Sequence, residues 1–157
     1  MIDTSKIAGE IESLVNIWFE RLGSLSEDVV RHRPAPDRWS VSEVIGHLVD
    51  SACNNHQRFV RAQSLQSLRF PKYDQNAWVL AANYQETDWA TLLSLWHSYN
   101  RVIASLIQMI PSSAFETQCT IIPYEPCTLE FLIEDYLTHL KHHLEILEKR
   151  LQESARE

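Results

Sequence analysis

Glycine and cysteine are scarce in this chain of 157 residues, and it has no long apolar run. Only three glycines accompany an apolar content of 45%, which favours helices over a fold of many strands and tight turns. No apolar stretch is long enough to span a bilayer, and the first six residues show no secretory signal. We therefore expect a soluble protein with no membrane partner.

The three cysteines are odd in number and form no Cys-x-x-Cys unit. This pattern argues against a disulfide framework or a cysteine zinc knuckle, and we expect Cys53, Cys119 and Cys127 to be reduced thiols in a cytoplasmic protein. Basic residues are also few, 14 against 21 acidic ones, for a net charge of −7. With no basic run, the chain is not expected to bind nucleic acid.

Four segments with helical periodicity account for most of the chain. We predict helices at residues 4–22 with Gly23 as the stop, from Ser40 to about residue 63, at 87–110, and from the Thr128 cap to about residue 152. Ser40 and Glu43 have the spacing of a capping box. The pattern predicts an all-α four-helix bundle in a single domain over residues 1–157.

Two connections, residues 65–86 and 112–127, are longer than a minimal bundle needs. Both carry aromatic residues and prolines, such as Phe70, Pro71, Pro123 and Tyr124. Long ordered connections often cover a functional site, but the same composition suits loops packed against one end of a bundle. The sequence leaves both interpretations open.

His139 and His143 lie one turn apart on one face of the last predicted helix, beside its apolar stripe. Four-residue spacing lets two imidazoles bind the same metal ion. The alternative is that both are neutral core histidines, each satisfied by a hydrogen bond, but each would then need a polar partner in an apolar region. His142 falls on a polar face and is expected to face water.

His47, on the second predicted helix, is the candidate third ligand. Three histidines leave open coordination positions, as in catalytic metal sites, whereas structural zinc is normally closed by four protein ligands. Four polar residues continue the helix face of His47: Ser51, Asn54, Arg58 and Arg61. That face is either ordinary solvated surface or a polar groove in which Asn54 and Arg58 bind substrate, with Arg58 holding an anionic group.

Several other residues bear on the chemistry. Leu140 stands where a zinc metalloprotease helix would have its glutamate base, which argues against that style of peptide hydrolysis. Glu43 and Asp50 lie within a turn of His47 and either orient its imidazole or are solvated acids. The remaining histidines have no partner at ligand spacing and are expected on the surface or in packing: His32, His56 and His97.

Three blocks of sequence resemble the DinB/YfiT-like metalloproteins. Trp39-Ser40, Glu43-Val-Ile-Gly-His-Leu-Val-Asp-Ser51, Asn54 and Arg58-Phe59 resemble that family's second helix. Tyr73-Asp-Gln-Asn-Ala-Trp78 is similar to a loop of the YfiT branch, and the segment from Thr128 to His143 is similar to the last helix. The resemblance covers about residues 39–147. Members of the YfiT branch often carry a further histidine where this chain has Leu144-Glu-Ile146, so a shared substrate is not implied.

The resemblance implies a four-helix bundle, commonly homodimeric, with a divalent metal, zinc or nickel, held by His47, His139 and His143. Known members include thiol-dependent transferases and isomerases that use a thiol cofactor, and others are described only as metal-dependent hydrolases. It thus implies a small-molecule substrate and, for transfer, a low-molecular-weight thiol cosubstrate.

Three neutral imidazoles leave a bound cation with its full charge. In such a site the pKa of water falls from about 15.7 to about 7, and a bound thiol is deprotonated readily. We therefore expect a thiol S-transferase or a hydrolase. The alternative is a non-catalytic module for helical dimerisation or for binding a small ligand or metal. Metal storage, as in a di-iron bundle, fits less well, because the last helix lacks the paired Glu-x-x-His motifs of such bundles.

Overall fold

Four long helices form the body of the protein. The computed structural model describes residues 2–154 and contains six α-helices within that range: α1 (Thr4–Gly23), α2 (Glu27–Arg31), α3 (Val41–Ala62), α4 (Gln75–Ala82), α5 (Trp89–Met109) and α6 (Leu129–Ser154). Helices α1, α3, α5 and α6 are the predicted bundle helices, with bounds within about two residues of those expected. The prediction of a mostly helical four-helix bundle is confirmed.

Side-chain caps fix where these helices begin. The Ser40 hydroxyl accepts from the backbone N–H of Glu43, and the Glu43 carboxylate accepts from the backbone N–H of Ser40, which is the predicted capping box. Thr128 caps α6 as predicted, because its hydroxyl accepts from the N–H of Phe131 at 3.1 Å. Gly23 differs from expectation: it is the last helical residue of α1, and Ser24 is the C-cap.

Helices α3 and α6 run antiparallel side by side, which determines where their histidines meet. Near one end of the pair, the Arg150 guanidinium donates to the Trp39 carbonyl. Further along, the rings of Phe59 and Tyr136 meet edge to face with centroids 5.9 Å apart. His47 lies between these two contacts, so it faces the middle of α6. Helix α5 packs against both α1 and α3.

The core is mostly apolar, and it includes a buried polar pair between α5 and α6. Trp96, Ile103 and Leu140 are fully or almost fully buried, as the heptad-like spacing of these helices predicts. Among them, the Tyr136 hydroxyl donates to Asn100 Oδ1 at 2.7 Å, and the Asn100 amide donates to the Trp96 carbonyl. The pair is thus satisfied within the core.

The two long connections contain a three-stranded sheet that the sequence did not predict. Strand β1 (Ser67–Pro71) pairs in parallel with β2 (Gln118–Ile122), and β2 pairs antiparallel with β3 (Cys127–Thr128). In register, Ser67 lies opposite Gln118, and Cys119 lies opposite Cys127. Because β1 follows α3 and β3 directly precedes α6, the sheet lies where the two histidine-bearing helices end and begin.

None of the helices within residues 2–154 combines the length and apolar character needed to cross a membrane.

Candidate metal centre

Three imidazoles converge between α3 and α6. The Nε2 atoms of His47 and His139 lie 3.1 Å apart, and the His143 ring centroid is 4.7 Å from that of His47 and 4.6 Å from that of His139. One ring nitrogen from each lies within 4.8 Å of those of the other two. Two nitrogens bound to one tetrahedral zinc at about 2.0–2.1 Å are about 3.3 Å apart. The cluster therefore has the dimensions of a single metal site.

The hydrogen bonding of the cluster is not that of ordinary core histidines. The Nδ1 atoms of His47 and His143 are buried and have no hydrogen-bond partner among the residues that the structure describes. Buried polar atoms without partners cost about 1–3 kcal/mol each. Ordinary core histidines, each satisfied by its own hydrogen bond, would not leave these atoms unpaired.

Neighbouring side chains hold two of the rings in place. The Trp39 ring packs against His47 with centroids 5.0 Å apart, and Ser51 Oγ lies 3.4 Å from Nδ1 of His139. A ligand histidine commonly uses its second nitrogen for such a contact, which fixes the ring and its tautomer. The helical periodicity places Ser51 on the His47 face but indicates no role for it. His142 is exposed, as predicted.

Burial keeps all three imidazoles neutral at neutral pH. It lowers the pKa of His47 to about 3, with a further decrease from the neighbouring His143 and His139. It lowers the pKa of His143 to about 4, with His139 as the next cause, and it lowers the pKa of His139 as well. Metal ligands must be deprotonated, so the lone pairs are available without competition from protons.

Glu43 and Asp50 form other contacts in this structure. The buried Glu43 carboxylate pairs with Arg33 at 2.9 and 2.5 Å, and these bonds, with those from Ser40, outweigh burial and lower the pKa of Glu43. Asp50 accepts from the Tyr84 hydroxyl at 2.6 Å, its Oδ2 is buried with no hydrogen-bond partner among residues 2–154, and burial raises the pKa of this carboxyl. Neither carboxylate hydrogen-bonds to His47, so their role in orienting that ring stays a prediction.

A cavity of about 810 Å³ lies beside the cluster, and His47 and His139 form part of its wall. Arg58 lines the same cavity. Both long connections contribute to the wall, including residues 72–75 and 124–125, so they line the site instead of only closing one end of the bundle. Asn54 lies elsewhere: it lines a separate cavity of about 430 Å³ and donates its amide to the Asp50 carbonyl.

The polar face of α3 is not ordinary solvated surface near the cluster. His47, Ser51 and Asn54 are 1%, 4% and 6% exposed, whereas Arg61, at the far end of the same face, is exposed. The solvated interpretation is therefore wrong for the first three of these residues. The structure brings His47, His139, His143 and Ser51 into one cluster and places Arg58 on the wall of the adjoining cavity.

These features define a helical-bundle protein with a three-histidine cluster at a cavity. The chain belongs to the DinB superfamily, whose family model matches residues 12–147. Its fold is similar to that of YfiT from Bacillus subtilis, with a TM-score of 0.88 and 19% identity over 99% of this chain and 91% of that one. That protein is described as a probable metal-dependent hydrolase with an unusual four-helix bundle topology. At 19% identity, this similarity establishes the fold alone. No sequence match is found among functionally curated proteins.

Proposed function

We propose that this protein is a metal-dependent enzyme acting on a small molecule, with one divalent cation, zinc or nickel, held by His47, His139 and His143. One observation carries the proposal: three neutral imidazoles converge beside a cavity large enough for a small molecule, and two of them, His47 and His139, form part of its wall. The description of YfiT as a probable metal-dependent hydrolase supports it.

The three-ligand set favours catalysis over a structural role. Structural zinc is normally closed by four protein ligands, whereas three leave positions for water or substrate. When bound, a divalent cation in such a site acidifies a water or thiol and polarises a carbonyl oxygen. The protein's own contribution is to fix the rings of His47 and His139, through Trp39 and Ser51 respectively, and to hold the substrate in the cavity.

Thiol S-transfer is the first candidate reaction. Glu43 and Asp50, the acids nearest His47 in sequence, are occupied by Arg33 and Tyr84. A thiol bound to such a cation would lose its proton to solvent without a dedicated carboxylate base, and its sulfur would form a bond to carbon of the electrophile as the leaving group departs as an anion.

Hydrolysis is the second candidate reaction, and the position of Asp135 favours it. Asp135 is exposed, lines the cavity, and lies one turn before His139 on α6. Its charge acts to raise the pKa of His139, although burial of that ring has the larger effect and lowers it. A carboxylate in this place is suited to accept a proton from an attacking water.

Elemental analysis of the purified native protein tests the metal site. We expect about one first-row metal ion per chain in the wild type, and a metal affinity at least about 100-fold lower in His143→Ala, since loss of mere supporting residues already costs 10–100-fold. His142→Ala is the matched control, because that imidazole is adjacent in sequence but exposed. The proposal is wrong if the wild type holds no stoichiometric metal, or if both variants bind metal equally.

A thiol-dependence screen separates the candidate reactions. Metal-loaded protein is incubated with halogenated aromatic electrophiles, with and without cellular low-molecular-weight thiols, and separately with ester and amide substrates. Consumption that requires the thiol supports transfer, and thiol-independent cleavage supports hydrolysis. Metal-loaded protein that does neither would favour the alternative, a non-catalytic dimerisation or ligand-binding module. We also propose that the protein is a homodimer, which light scattering in solution tests.

A further inference from the structure

Arg58 is a half-buried cation on the wall of the cavity beside the histidine cluster. Its guanidinium carbon lies 5.4 Å from the centroid of the Phe70 ring, which supports one face of the group. Burial lowers the pKa of Arg58, so the charge is less well solvated here than on the surface. An arginine always remains charged in a protein, and its burial therefore requires compensation by acceptors.

The described residues supply little of that compensation. Arg58 Nε is buried and has no hydrogen-bond partner, and the one side-chain acceptor of Nη1 is Asn55 Oδ1 at 3.4 Å. Arg58 forms none of the ion pairs found among the described residues. Arg31, which is also partly buried, is well paired by contrast: it forms an ion pair with Glu27 and donates to the carbonyls of Gln85 and Thr87.

The carboxylates of the same cavity fill this role only in part: the charge of Asp135 acts to raise the pKa of Arg58, but burial has the larger effect and lowers it, and no ion pair joins the two among the described residues. Asp74, Glu125 and Asp135 line the cavity but are exposed, and Asp74 already caps α4 by accepting from the N–H groups of Asn76 and Ala77. Exposed charges are screened by water and salt. A second cation, Lys72, lines the cavity as well.

We infer that Arg58 binds an oxyanion group of the substrate, so that the enzyme acts on a small molecule carrying a carboxylate, sulfonate or phosphate. This inference rests on the proposed function and adds the substrate class. Arg58 lies eleven residues after His47 on α3, about 16 Å along the helix axis. The oxyanion of the substrate therefore binds far from its reacting group, which lies at the histidine cluster. A planar guanidinium is suited to bidentate recognition of such an anion.

Anion titration of metal-free protein tests this assignment. The His143→Ala variant is used as background, which removes binding of anions to a metal. Acetate, succinate, inorganic phosphate and sulfate are added at constant ionic strength, with chloride as the reference, and the backbone amide resonances of cavity-wall residues such as Tyr73 and Cys127 are followed by NMR in every variant. We expect saturable anion binding, with an affinity that falls about 10-fold or more in Arg58→Gln. The affinity should fall less in Arg58→Lys, which keeps the positive charge but lacks the two parallel N–H donors of a guanidinium. The four anions distinguish carboxylate from sulfate and phosphate chemistry.

Arg61→Gln is the matched control, because Arg61 lies on the same helix but is exposed and bonded to Gln57. Its anion affinity should equal that of the background protein. Equal affinities of Arg58→Gln and Arg61→Gln, or no saturable binding of any anion, would overturn the inference. Either result leaves the metal content of the wild type unaffected, so the proposed function is judged separately.

Discussion

The Tyr84 hydroxyl donates a hydrogen bond to Asp50 Oδ1 at 2.6 Å, and its ring lies against the backbone of Gly46. Tyr84 belongs to the segment between α4 and α5, whereas Gly46 and Asp50 flank His47 on α3. The contact therefore holds the connection between α4 and α5 against α3, the helix that carries His47. Only a residue without a Cβ permits the ring to approach this closely.

Gly46→Ala is expected to destabilise the protein by about 1–3 kcal/mol, as overpacking usually does. A Cβ at this position would overlap the Tyr84 ring, which must then move and lose its bond to Asp50. Gly9→Ala is the control, since a Cβ there meets nothing within 4 Å on the exposed face of α1. It should stabilise by about 0.5–1 kcal/mol, because alanine is the better helix former. Urea denaturation measures both, and equal effects would contradict the packing argument.

Ser51→Ala is expected to weaken metal binding by about 10–100-fold while leaving the three ligands in place. The hydroxyl lies 3.4 Å from Nδ1 of His139, and losing such a supporting contact typically reduces metal affinity by this factor. Competition with a chromogenic chelator measures the affinity. Ser64→Ala, an exposed serine just beyond α3, is the control and should bind metal like the wild type. An unchanged affinity in Ser51→Ala would show that the serine does not support the site.

The metal-free protein is expected to lose stability as the pH falls from about 6.5 to about 4. In the unfolded chain these histidines titrate near their ordinary pKa of about 6.5, but in the folded protein the pKa of His47 is about 3 and that of His143 about 4. Across this window the unfolded state binds more protons, so the free energy of unfolding decreases with decreasing pH. The contribution of these neutral histidines to stability is complete above their pKa in the unfolded chain. It is lost as the pH falls towards their lower pKa in the folded protein.

Thermal unfolding at about pH 7 and about pH 5 in the presence of a chelator measures this loss. The variant His47→Gln removes the most strongly shifted group and should show a smaller decrease between the two pH values. Identical pH dependence of the variant and the wild type would contradict the assignment of buried neutral histidines. Metal-loaded protein should be more stable than metal-free protein at both pH values, because the cation binds the folded state preferentially.

Tyr136→Phe is expected to destabilise the protein by about 1–3 kcal/mol. The hydroxyl donates to Asn100 Oδ1 in a region where both residues are almost fully buried, so its removal leaves a buried acceptor unsatisfied. Tyr124→Phe is the control, because Tyr124 is 60% exposed, and its stability should change little. Comparable effects of the two substitutions in urea denaturation would show that the buried bond contributes nothing specific.

Short-range signals were sufficient to predict the four long helices, whereas the short helices α2 and α4 were not predicted. The capping box of Ser40 and Glu43 and the apolar spacing of α5 and α6 are encoded within a few residues, so their positions follow from local chemistry. The face of His139 and His143, with His142 turned to water, follows from the same periodicity. The three-stranded sheet could not be predicted in this way, because β1 and β2 are short and pair across about 50 residues of chain.

By itself, then, the sequence determined the helical bundle and the histidine pair of α6, since both depend on spacing along one helix. Only the tertiary structure decided that His47 reaches that pair, because this requires the antiparallel packing of α3 against α6. It also decided that Arg58 lines the adjoining cavity while Asn54 does not, and that Ser51 contacts His139. Contacts between helices depend on the rotation of each helix about its axis, and that rotation is set by packing of the whole core.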